Sequence, residues 1–66
     1  MKLKDIFKEL EPFDEITVDN DLTYIITEKQ ENYIHVRNAD TGTKGIFDIN
    51  FKMNIDKYQK ASELYL

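Results

Sequence analysis

Leu3, Ile6, Phe7 and Leu10 recur at helical spacing, with Lys4, Asp5, Lys8 and Glu9 filling the other face. This pattern predicts a short amphipathic helix over residues 3–10. Pro12 ends it, because the residue before a proline is pushed out of the α region. A helix of roughly ten residues does not hold alone in water, so its apolar stripe must dock on something.

From Glu15 the period changes to two. Ile16 and Val18 alternate with Glu15 and Thr17, and Asp19-Asn20-Asp21 reads as a turn. Leu22, Tyr24 and Ile26 then alternate with Thr23, Ile25 and Thr27. Residues 29–32 give a second turn in which Asn32 can take the left-handed conformation. Ile34 and Val36 alternate with Tyr33, His35 and Arg37. Beyond Ala39-Asp40-Thr41-Gly42, Phe47, Ile49 and Phe51 alternate with Ile46, Asp48 and Asn50. The pattern predicts a four-stranded antiparallel meander with short hairpin connections.

Setting Ile26 opposite Ile34 gathers Leu22, Tyr24, Ile26, Ile34 and Val36 on one face. Phe47, Ile49 and Phe51 join them if Gly42 forms a bulge with positive φ. The other face collects Ile25, Tyr33, His35, Arg37 and Ile46 among polar residues, and is neither core-like nor fully polar. Residues 54–66 read as a second helix, with Asp56 and Gln59 at capping-box spacing and Tyr58, Ala61 and Tyr65 on one stripe. The expected architecture is one α+β domain over residues 1–66, a four-stranded antiparallel meander flanked by an N-terminal and a C-terminal helix. A strongly bent meander gives the alternative, a small SH3-like barrel with helical extensions.

The charge is localised. Glu9, Glu11, Asp14, Glu15, Asp19 and Asp21 put −6 into thirteen residues of a 66-residue chain whose net charge is −4, so the remainder sums to +2. Such a run repels polyanions and attracts basic surfaces, or it is a solubilising rim that keeps a sheet edge from pairing. Strand carboxylates two residues apart stand about 6.6–7 Å from each other, close to phosphate spacing, which admits nucleic-acid mimicry. Abundant Lys, Asn and Ile with few Gly, Ala, Arg and Pro indicate AT-rich codons. In size, acidity and codon usage the chain resembles accessory proteins of phages and other mobile elements, which implies such an origin.

No catalytic set is in view. Cysteine is absent, His35 is the only histidine, and Ser62 is the only serine, so neither a zinc cluster nor a nucleophilic triad is supplied. Asp40-Thr41-Gly42 matches the aspartic-protease triplet, but it occurs once and follows a polar stretch, as a hairpin turn would. A calcium loop starting at Asp19 would need glycine and glutamate where Tyr24 and Gln30 stand. No enzyme, cofactor or metal is expected. The absence of a long apolar run or a leader-like N-terminus points to a cytoplasmic protein.

The chain is therefore expected to be a small acidic binding or inhibitor-type protein that contacts a larger, basic-surfaced protein. The acidic ridge (Glu9, Glu11, Asp14, Glu15, Asp19, Asp21) and the mixed sheet face (Ile25, Tyr33, His35, Arg37, Ile46) are its candidate surfaces. Alternatives are a single-stranded nucleic-acid module using Tyr33, His35 and Arg37, which a single arginine and the net negative charge oppose, and a self-associating homodimer.

Overall fold

The computed structural model describes residues 1–64. Its order is α1 (Leu3–Ile6), β1 (Glu15–Val18), β2 (Leu22–Lys29), β3 (Tyr33–Asn38), β4 (Lys44–Asp48), β5 (Ile55–Gln59) and α2 (Ala61–Leu64). The strands form one antiparallel sheet in the order β4-β3-β2-β1-β5. The molecule is thus broadly α+β, with five strands where the periodicity gave four. Among the described residues no ladder joins β4 to β5, and no helix is long and apolar enough to cross a membrane.

The fifth strand was hidden by a bulge. Val18 pairs with Ile55 and Thr17 with Lys57, so Asp56 is the extra residue of the β1–β5 ladder. Ile55 and Tyr58 consequently both pack on the core although they lie three apart, which mimics a helical step. The expected helix over residues 54–66 therefore reduces to α2, and its stripe position Tyr65 lies outside the described residues. No capping box forms either. The Asp56 carboxylate accepts the Asn20 backbone N–H and the Asn54 side-chain amide, while Gln59 pairs with Glu15.

A second bulge, at Thr27, corrects the expected register. Ile26 faces Val36 rather than Ile34, Glu28 faces His35, and Lys29 faces Ile34. Uninterrupted alternation would send Glu28 to the core face with Ile26 and turn Lys29 outward. The extra residue exchanges them. Lys29 then reaches the end of the N-terminal helical segment, where its Nζ donates to the carbonyls of Phe7 at 2.6 Å and Leu10 at 2.9 Å. The ammonium also lies 4.9 Å from the centre of the Phe7 ring. Carbonyls that a helix end leaves without partners are thereby satisfied.

The expected apolar helix face is the floor of the core. Regular α-helix covers only its first turn, yet Leu3, Ile6, Phe7 and Leu10 are all buried with Ile16, Val18, Ile26, Ile34, Val36 and Ile55. Phe47 stacks on Phe51 at 4.2 Å and meets Tyr24 edge-on at 5.0 Å, closing this layer at the β4 side. β4 stops at Asp48, and Ile49–Phe51 turn back instead of extending the strand.

Turn chemistry accounts for the hairpins. Asp19 and Asn20 both have positive φ (53° and 61°), the geometry of a tight hairpin turn, whereas Asn32 is not among the left-handed residues. Asp40-Thr41-Gly42 is the β3–β4 loop, pinned by the Asn38 side-chain oxygen, which accepts the N–H groups of Asp40 and Thr41 at 2.8 and 3.0 Å. Gly42 has φ 76° as expected, but it closes a four-residue loop and the β3–β4 ladder runs without a bulge. The space around its Cβ position is empty, so Gly42→Ala tests conformation alone. The expected loss is about 1–2 kcal/mol, read as a fall of roughly 4–8 °C per kcal/mol in the thermal midpoint.

Candidate binding face of the sheet

Among the described residues, no element covers the sheet face opposite α1. One row of directly paired residues crosses all five strands on it: Gln59, Glu15, Ile25, Arg37 and Lys44. The next row is Glu28, His35 and Ile46, and beyond it Tyr33 faces Asp48. All five residues of the expected mixed face therefore share one side of the sheet, with directly opposed Cβ atoms about 4.5–5.5 Å apart.

Exposure on this face is uneven in a useful way. Ile46 is 60% exposed and Tyr33 37%, large apolar surface for a molecule of this size, while Ile25 is half-buried between its neighbours. Tyr33 and His35 meet edge to face with ring centres 5.5 Å apart. The Thr27 bulge turns Glu28 outward beside His35, with Oε2 and Nε2 3.4 Å apart. An open groove of about 400 Å³ lies here, lined by Thr27, Glu28, His35, Arg37, Lys44 and Gly45. Sequence reasoning missed Glu28 and Lys44. The first is displaced by a bulge that alternation does not reveal, and the second needs the loop length between β3 and β4.

Arg37 and Lys44 are directly opposed cations on neighbouring strands. Like charges in that position destabilise a sheet. An anionic group seated between them would reverse the sign of that interaction. From β1 to β4 the long row thus changes from acid through an aliphatic residue to two bases.

The acidic run is less uniform than its sequence. Asp14 is 1% exposed and serves the fold. Its Oδ2 accepts Lys60 Nζ and the Glu11 N–H, each at 2.8 Å, and its Oδ1 accepts the Ala61 N–H at 2.8 Å. Burial alone would raise its pKa, but the hydrogen bonds from Lys60, Ala61 and Glu11 outweigh that and hold the carboxyl below its ordinary value. Lys60, hydrogen-bonded to Asp14, is held above its ordinary value and also donates to the Glu9 carbonyl.

The remaining acids divide. Glu9 and Glu11 lie exposed near Lys60, Glu15 sits within β1 on the outer face, and Asp19 and Asp21 occupy the turn at its far end beside Asp56. Phe13, inside the run, is 61% exposed with φ 75°, fixed by its N–H donating to the Ile26 carbonyl at 2.7 Å. No three acidic or histidine side chains among the described residues converge as metal ligands. Comparison of the chain with protein-family models, with curated proteins and with solved structures finds no match.

Proposed function

We propose that the chain is a non-catalytic intracellular binding module that acts through the outer face of its sheet on a larger protein. The observation that carries this reading is the pairing register. It sets exposed apolar groups (Tyr33, Ile46), the half-buried Ile25 and the opposed Arg37 and Lys44 side by side on an uncovered surface. Tyrosine and arginine are the residue types that anchor interface centres. The matching surface presents an apolar contact ringed by a carboxylate. This choice favours the mixed face over the acidic ridge, whose Asp14 is committed to Lys60 and whose other acids are split between the two ends of β1. In this reading the acids contribute charge and long-range steering, not the contact itself.

Affinity capture from the source organism's lysate, with the native chain and a Tyr33→Ala/Arg37→Ala variant, tests the proposal. Retention of a protein partner by the native chain and its loss from the variant is the expected result. Equal retention by both would remove the face from consideration. Titration with single-stranded oligonucleotides at low salt is the companion measurement. Saturable binding that weakens steeply with salt would reassign the face to nucleic acid.

A further inference from the structure

The β4 edge has the sequence Lys44-Gly45-Ile46-Phe47-Asp48, which is complementary to itself when reversed. Its other side pairs with β3, and the backbone bonds flanking that ladder fix which groups remain free. Asn38 N–H donates to the Thr43 carbonyl and Ile49 N–H to the Asn32 carbonyl, each at 2.8 Å. Hydrogen-bonded pairs alternate along an antiparallel ladder, so Gly45 and Phe47 bond to β3. Lys44, Ile46 and Asp48 then direct their backbone groups away from the sheet. Of these, the Asp48 carbonyl already accepts the Phe51 N–H at 2.8 Å, and the Asp48 Oδ1 accepts the Asn50 N–H at 2.8 Å, which leaves the Asp48 N–H and Oδ2 for a partner.

From this edge we infer that β4 pairs antiparallel with β4 of a second copy across a two-fold axis at Ile46, joining two five-stranded sheets into one. In this register Ile46 faces Ile46 of the second copy, and their N–H and C=O groups exchange two hydrogen bonds. Lys44 faces Asp48 of the second copy on the outer face, twice by symmetry. The Asp48 N–H of each copy reaches the Lys44 carbonyl of the other. On the core face, Phe47 lies opposite Gly45 of the second copy, where no side chain competes for the space.

Both the polar pattern and the exposed apolar group select this occupant. A lysine on an edge strand ordinarily blocks pairing; here the two-fold register supplies an acid opposite each one. Ile46, 60% exposed in the single chain, obtains an apolar neighbour. The β5 edge is less available, because Ile55 N–H already donates to the Met1 carbonyl at 2.7 Å. Pairing through five residues buries less than the roughly 1,200 Å² of a standard stable interface, so the dimer belongs to the weak, concentration-dependent class. It extends the outer face rather than covering it, and does not rest on the partner proposed above.

Sedimentation velocity across the micromolar-to-millimolar range tests the pairing with Lys44→Asp and Asp48→Lys variants. Native protein dimerises with rising concentration, whereas each variant alone faces like charge with like and associates at least about tenfold more weakly. Mixing the two variants makes both cross-axis contacts favourable and restores the dimer. Lys44→Asp also places an acid opposite Arg37 of its own sheet, so weakened association of that variant does not reflect a damaged monomer. A native protein that stays monomeric throughout would overturn the inference. So would single variants that associate like the native chain, or a mixture that fails to recover.

Discussion

Replacing Asp14 with alanine is expected to unfold much of the protein at room temperature. The carboxylate is 1% exposed and accepts hydrogen bonds from Lys60, Glu11 and Ala61. Its removal leaves two backbone N–H groups without their acceptor and takes from the Lys60 ammonium its buried carboxylate partner, leaving it the Glu9 carbonyl, at a cost of about 3–5 kcal/mol. A domain this small has only about 3–5 kcal/mol of net stability. The same group sets the acid limit. Its pKa is lower folded than unfolded, so its contribution is complete above the ordinary value and is lost as pH falls through the folded one. Lys60 is raised; its smaller, partly solvent-screened share is present below its ordinary value and fades as pH rises through the folded one. Thermal melts followed by circular dichroism should show the native midpoint dropping steeply below the carboxylate range. An Asp14→Asn protein should start lower and fall less. Parallel acid slopes would mean that other carboxylates set the limit.

Leu10→Ala is expected to cost about 2–5 kcal/mol, the range for deleting a buried leucine side chain. Leu10 is fully buried against the sheet, and its carbonyl accepts Lys29. The truncation therefore opens a cavity where the N-terminal segment docks. Ile46→Ala removes a comparable side chain from the outer face and should change stability by no more than about 0.5 kcal/mol. Urea unfolding of both variants against the native chain separates the core from the outer sheet face in one comparison. Equal losses would mean that the outer face is also covered in the folded protein.

Sequence periodicity identified the stretches in which side chains keep one alternation or one helical face. Leu3, Ile6, Phe7 and Leu10 announced the docking segment because all four face the same core. Tyr33, His35 and Arg37 announced their shared face because β3 alternates without a break and pairs with β4 in one register. Two of the failures in strand reading trace to a bulge, whereas the expected extension of β4 through Ile49 and Phe51 fails because the chain turns after Asp48. At Asp56 the extra residue gave Ile55 and Tyr58 a three-residue spacing, which reads as helix. At Thr27 it exchanged the faces of Glu28 and Lys29, hiding one groove residue and the lysine that satisfies the helix-end carbonyls. Asp14 was illegible for another reason. Among six acids it differs only by its partner, and Lys60 stands 46 positions further along the chain.

The partner is proposed to seat on the outer sheet face. Amide chemical-shift mapping of the isotopically labelled chain, with the captured partner added in steps, tests it most directly. Shifts concentrated at Ile25, Glu28, Tyr33, His35, Arg37, Lys44 and Ile46, with Glu9, Glu11, Asp19 and Asp21 little changed, are the predicted result. Shifts confined to those four acids, with the sheet face silent, would contradict it.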